Sequence, residues 1–123
     1  MRASRGEIKI EEILQNAGLP FEEEYSFPDL VAQGPGGRPL RFDFAVFSDE
    51  GDLEFLIEYQ GAQHYEPRDL YGGKKGLFRQ QYNDKQKVIY CREHGYKLVI
   101  IPYWEISFVD YDYIMKAAYG EDW

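Results

Sequence analysis

Two β-forming runs, Leu-Arg-Phe-Asp-Phe-Ala-Val-Phe at 40–47 and Leu-Glu-Phe-Leu-Ile-Glu-Tyr-Gln at 53–60, are joined by Ser-Asp-Glu-Gly-Asp. Short runs rich in aromatic and β-branched residues around a turn-forming centre predict a β-hairpin. Alternate strand residues share a face. Arg41, Asp43 and Ala45 are therefore expected opposite Phe42, Phe44 and Val46, and Leu56, Glu58 and Gln60 opposite Phe55, Ile57 and Tyr59. With Glu50-Gly51 as a two-residue turn, paired residue numbers sum to 101. Asp43 then faces Glu58, and Arg41 faces Gln60. Directly opposed Cβ atoms lie roughly 4.5–5.5 Å apart, where two carboxylates repel. A divalent cation such as Mg²⁺, which prefers hard oxygen ligands, would relieve that repulsion. The plainer alternative is a pair of surface carboxylates, or one bridged to Arg41.

The rest of the chain supplies elements around this hairpin. Residues 4–17 read as a helix: Ser4 and Glu7 match a capping box, Ile10, Ile13, Leu14 and Ala17 form a stripe, and Gly18 sits at the C-terminal cap. Residues 23–27 are a candidate strand, and 33–39 a Gly/Pro-rich loop. Residues 61–76 read as a loop punctuated by Gly72, Gly73 and Gly76. A second helix is expected over 77–94, closed by Gly95, with His94 favourable at its C-terminal end. Cys91 shares a helical face with Val88 and is expected in the core. The apolar run 97–102 predicts a buried strand, and 110–119 a short terminal helix. The order αβββαβα implies an α+β fold with a mixed central sheet flanked by helices.

The 123 residues suit one domain, 1–123, with a single core. No apolar run approaches the roughly 18 residues of a membrane span, and the segment after Arg2 and Arg5 is charged and amphipathic rather than a signal core. The single cysteine excludes an internal disulfide and a Cys-rich zinc site. A cytoplasmic setting is expected. The net charge of −8 opposes nucleic-acid binding, yet it is unevenly spread. Residues 68–97 hold eight basic and three acidic side chains, so they carry +5 and the remainder −13. Such a basic stretch can hold a phosphate backbone, with modest and salt-sensitive affinity.

Several short motifs occur in order: Gly6-Glu7 on the first helix, Asp43-Phe44, Glu58-Tyr59-Gln60-Gly61, Gln63-His64-Tyr65, Asp84 with Lys87, and Leu98 to Pro102. Together, over residues 4–104, they resemble the branch of the PD-(D/E)XK nuclease superfamily that includes very-short-patch-repair-like endonucleases and related phage and mobile-element nucleases. The resemblance implies an αβββαβ restriction-endonuclease-like core and a Mg²⁺- or Mn²⁺-dependent endonuclease acting on DNA, in a bacterial or phage-infected cell.

The roles implied fall on particular residues. Asp43 and Glu58 would hold the metal, with Glu7 either a further ligand or simply the capping-box carboxylate. Gln60 would orient water, and His64 would relay a proton or contact phosphate. Asp84 and Lys87 would position the strand, or merely form an i,i+3 ion pair. Arg68, Lys74, Lys75, Lys85 and Lys87 would bind the nucleic-acid backbone, and Tyr65, Tyr71 and Phe78 could stack on bases. One departure stands out: Gln60 occupies the position of the superfamily's lysine, and Lys85 and Lys87 are the candidate replacements. The alternative is a catalytically weakened module that binds nucleic acid or a protein partner. A domain this short would need dimerisation or a targeting partner for sequence specificity.

Overall fold

The computed structural model describes residues 4–33 and 36–121. Arg2 and two residues of the Gly/Pro-rich loop lie outside them. Helix α1 (Arg5–Asn16) is followed by β1 (Phe21–Val31), β2 (Pro39–Phe47) and β3 (Leu53–Gln60). The 22-residue helix α2 (Gly73–His94) leads into β4 (Leu98–Pro102), and α3 (Tyr111–Tyr119) closes the described chain. Three short 3-10 turns, at Ala62–His64, Asp69–Tyr71 and Tyr103–Phe108, fill the connections. The four strands form one mixed sheet in the order β1-β2-β3-β4. The first three are antiparallel; β4 joins β3 in parallel after the α2 crossover.

The sheet separates two cores. On one face, Phe44, Val46, Phe55, Ile57, Val99 and Ile101 pack with Ile10 and Leu14 of α1 and with Ile114, Met115 and Ala118 of α3. On the other, Phe27, Leu30, Leu40, Phe42, Ala45 and Leu56 pack with Cys91 of α2. The α1 stripe is shifted from expectation, because Gly6 is buried and Ala17 exposed. A Cβ on Gly6 would overlap the Tyr59 ring, so only glycine lets α1 approach the sheet there.

Two boundaries differ from the sequence-based expectation. Helix α2 begins at Gly73 rather than 77, with Gly76 inside its first turns. A Cβ on Gly76 would overlap the Tyr71 carbonyl oxygen, so tertiary contact rather than helix propensity sets that residue. Strand β1 is longer than 23–27 and passes through Pro28, tolerable on an edge strand.

The hairpin register sums to 101 at Phe44↔Ile57, Ala45↔Leu56 and Val46↔Phe55, as expected, but it is reached differently. The turn has three central residues, with Ser48 N–H bonded to Asp52 C=O and Gly51 left-handed at φ 89°. A register shift between Val46 and Phe47 restores the pairing.

Candidate active site

Strand β2 does not keep its alternation. Phe44 and Val46 face α1 and α3, whereas Leu40 and Phe42 lie in the core under α2. Phe42 and Phe44 therefore point to opposite faces, contrary to simple alternation, and the strand turns over at Asp43. Strand β1 turns over at the same level: Phe21 packs with the α1 core, while Tyr25 and Phe27 pack with the α2 core. Strand β3 keeps its alternation, since Leu56 and Glu58 face α2 and Ile57 faces α1. A strand that turns over cannot stay paired with one that does not, and the β2–β3 ladder ends at Phe44↔Ile57.

The two carboxylates occupy the gap. Asp43 Oδ2 accepts the Tyr59 backbone N–H at 2.7 Å, and Glu58 Oε1 accepts the Asp43 backbone N–H at 3.0 Å. Each acidic side chain thus satisfies a backbone donor that the broken ladder leaves unpaired. Asp43 and Glu58 are held together as the register implied, though by side chain-to-backbone bonds across parted strands. Arg41 is not opposite Gln60; it lies on the surface, 3.4 Å from Glu24.

Helix α2 delivers the counter-charge. Gln80, Asp84, Lys87 and Cys91 follow helical spacing and form the stripe turned toward the sheet. Such a stripe is normally apolar; here its middle carries two charged residues. Lys87 Nζ lies 2.9 Å from Glu58 Oε2, with both residues buried, and 5.4 Å from the Phe42 ring centroid. One turn earlier, Asp84 Oδ2 lies 2.9 Å from His64 Nδ1, and its Oδ1 accepts from Gln80 at 3.1 Å. The sequence allowed an Asp84–Lys87 pair; the structure instead sends each to a different partner. An ionised carboxylate only accepts, so opposite an ionised Asp84 the shared hydrogen is assigned to His64 Nδ1.

Burial pushes the Asp43 carboxyl up to about 7, assisted by the Glu58 charge and opposed by the Tyr59 N–H. Burial also raises Glu58, while the Lys87 ammonium and the Asp43 N–H hold it down. The Glu7 charge makes a smaller contribution to the rise at Asp43. Glu7 also completes the capping box, with its N–H donating to Ser4 Oγ at 3.2 Å and its Oε1 accepting from that hydroxyl at 3.0 Å. Of the two roles considered for Glu7, the capping box is the one its contacts show. Among the described residues, no three His, Cys, Asp or Glu side chains gather as a metal-binding group. Every buried side-chain nitrogen and oxygen among them has a hydrogen-bond partner.

The remaining candidates fall in three places. Gln60 is buried beyond Glu58, and its Oε1 accepts the Tyr65 hydroxyl at 2.5 Å. Arg68, Lys74, Lys75 and Lys85 are on the surface, Arg68 pairing with Glu66 at 2.8 Å. Lys87 does not join this basic surface, since its ammonium is buried on Glu58. Tyr71 and Phe78 are exposed near the basic residues, whereas Tyr65 packs its ring on Trp104 with centroids 4.7 Å apart. Asp84 as the partner of His64 was the relationship least visible in sequence; the one available signal was an α2 stripe carrying charge where a sheet-packed helix should be apolar. Cys91 is buried in the core as expected, and His94 Nδ1 lies 2.8 Å from the Tyr90 carbonyl oxygen in the last turn of α2.

No protein-family model matches the chain, and no solved structure matches it. Its sequence is similar to "Uncharacterized protein 094L" of Frog virus 3 (isolate Goorha), 42% identical over 69 residues that make up 54% of this chain and 42% of that protein. It is also similar to "Uncharacterized protein 033L" of Invertebrate iridescent virus 3, 31% identical over 102 residues, or 81% of this chain and 50% of that one. "Uncharacterized protein 307L" of Invertebrate iridescent virus 6 is 30% identical over 88 residues, covering 70% and 45%. The chain spans about half the length of these curated relatives. No helix among the described residues is long and apolar enough to cross a membrane.

Proposed function

We propose that the chain is a metal-dependent DNA endonuclease on a PD-(D/E)XK-like core, in which Lys87 of α2 supplies the cation that Gln60 cannot. The observation that carries this reading is the buried Lys87–Glu58 pair, 2.9 Å apart, beside an Asp43 that shares the parted strand junction with Glu58. A purely structural helix gains little by burying a lysine against a sheet, because desolvation offsets the attraction. A site that must hold phosphate and an attacking water next to two carboxylates does need such a charge.

The donor set fits a hard cation. Mg²⁺ commonly takes one or two carboxylates and completes its shell with water and substrate phosphate, so Asp43 and Glu58 would hold it. When bound, the metal would lower the pKa of a water and offset charge on the phosphate. Lys87 holds the Glu58 carboxylate in place and carries positive charge into the site. His64, fixed by Asp84, exchanges a proton through Nε2. Arg68, Lys74, Lys75 and Lys85 present a basic surface to the DNA backbone.

The test is incubation with plasmid, single-stranded and branched DNA, with and without Mg²⁺ or Mn²⁺. Metal-dependent cleavage by the wild type, abolished in Asp43→Ala, is the expected result; no cleavage of any substrate with either metal would overturn it. One observation favours a second reading, a module that binds nucleic acid or a protein without cutting: the Gln60 carbonyl is already taken by Tyr65. DNA binding without metal-dependent cleavage would select it.

A further inference from the structure

Glu24 is the one non-glycine residue among those described with positive φ, at 51°. It lies at the level of Asp43. The β1–β2 register pairs Glu23 with Phe44 and Tyr25 with Phe42, and skips the pair between them. The skipped position is where both strands turn over, as the opposite packing of Phe42 and Phe44, and of Phe21 and Tyr25, requires. A left-handed residue reverses the side-chain direction that an extended residue would give. Glutamate has no intrinsic preference for that region, and its exposed side chain reaches only Arg41, at 3.4 Å.

We propose that Glu24 is a positioning residue for the Asp43–Glu58 site: its left-handed backbone lets β1 turn over in step with β2, and that joint turn swings Asp43 out of the ladder toward β3. Without it, β2 would stay in register with β3 past Phe44. Tyr59 N–H, which points toward β2, would then find a backbone carbonyl instead of the Asp43 carboxylate. The Asp43 side chain would go to a face of the sheet rather than into the junction with Glu58. The strained residue thus sits on the edge strand, one strand away from the chemistry it serves. The functional part rests on the nuclease reading, but the geometry can be tested without it.

The test compares Glu24→Gly and Glu24→Asn, which tolerate positive φ, with Glu24→Val, whose branched side chain resists it, and with Arg41→Ala, which removes only the ion pair. The readout is the backbone amide resonances of Asp43 and Tyr59, both bonded to carboxylates, and the hydrogen exchange of Tyr59 relative to Ile57. The glycine, asparagine and Arg41→Ala proteins are expected to keep the wild-type amide positions. Glu24→Val is expected to shift both and to speed Tyr59 exchange by about tenfold or more, the scale that left-handed strain corresponds to in an opening equilibrium. If Glu24→Val does not fold, Glu24→Ala, unbranched but still carrying a Cβ, is read in the same way. Wild-type Asp43 and Tyr59 amides in the folded valine or alanine protein, with only a lower melting temperature, would overturn the proposal. Failure of the wild type to cut DNA would remove the nuclease reading and leave this measurement intact.

Discussion

Lys87 and Glu58, 29 residues apart in the chain, form a buried ion pair with 2.9 Å between ammonium and carboxylate. Removing one member of such a pair strands the other without water or partner, at a cost of roughly 3–5 kcal/mol. Lys87→Met is therefore expected to lower stability by about 3 kcal/mol in urea denaturation and to abolish DNA cleavage. The double variant Lys87→Met/Glu58→Gln should recover much of the stability and none of the activity. A Lys87→Met protein as stable as wild type would mean that the pair is not formed in solution.

Gly6→Ala tests the seat of α1 on the sheet. The added methyl would overlap the Tyr59 ring, whose backbone N–H is held by Asp43. Overpacking of this kind costs typically about 1–3 kcal/mol, and here the displaced residue is bonded to the site. A melting temperature lowered by several degrees, together with reduced activity, is expected; an unchanged melting temperature would show that the overlap relaxes freely.

The strands and helices were legible where local chemistry decides them. The runs at 40–47 and 53–60 are aromatic and β-branched, Ser4 and Glu7 cap α1, and Gly95 ends α2. What could not be read depends on residues distant in sequence. Alternation treats a strand as straight, so it placed Phe42 beside Phe44; the turn-over at Asp43 follows from α2 packing on Leu40 and Phe42 while α1 packs on Phe44. Gly73 and Gly76 looked like loop residues because glycine weakens a helix, yet the close approach of the Tyr71 carbonyl demands one at 76. The hairpin register brought Asp43 and Glu58 together, and the resemblance singled them out; Lys85 and Lys87 were both candidates for the lysine missing at position 60. The Asp84–His64 pair had no local signature, since i,i+3 spacing made Lys87 the nearer partner.

Asp43 sets an expected pH dependence. Its folded value of about 7 lies above the ordinary 3.8, so the folded state holds this proton more tightly than the unfolded chain. Stability should then fall as pH rises from about 4 to 7, and the cost is complete above 7. At about 1.4 kcal/mol per pH unit across that window, the effect is a few kcal/mol at most. Asp43→Asn keeps an oxygen for Tyr59 N–H and removes the charge, so it should flatten the slope and be the more stable protein at about pH 8. Mg²⁺ at that pH should stabilise wild type and not Asp43→Asn. Denaturation curves from about pH 4 to 8 decide both; a stability that rises across that range would contradict the placement of Asp43.

The basic surface predicts a salt dependence. Removing one side chain that binds a phosphate should reduce the slope of log K against log salt by roughly 0.9 for duplex DNA. Arg68, Lys74, Lys75 and Lys85 are on the surface and should contribute; Lys87, buried on Glu58, should not. Fluorescence titrations of single alanine variants at several salt concentrations measure this, and wild-type slopes in all four surface variants would place the DNA elsewhere.

Gln60→Lys restores the residue commoner in the resembling superfamily, yet it should not raise activity. Gln60 is buried, and its Oε1 accepts the Tyr65 hydroxyl. A lysine there has no acceptor, so the hydroxyl goes without its partner at a cost of roughly 1–3 kcal/mol. The new ammonium would also share a face with Glu58, whose Oε2 already takes Lys87 and whose Oε1 takes the Asp43 N–H. Two lysines competing for one carboxylate would loosen the pair and oppose a divalent cation at the same oxygens. The informative comparison adds Lys87→Met: in that background the substituted side chain has Glu58 to itself, and Gln60→Lys should restore part of the cleavage. Rates under saturating Mn²⁺ for wild type, Gln60→Lys, Lys87→Met and the double variant measure this. A Gln60→Lys single variant markedly faster than wild type would mean that Lys87 does not fill the catalytic role given to it.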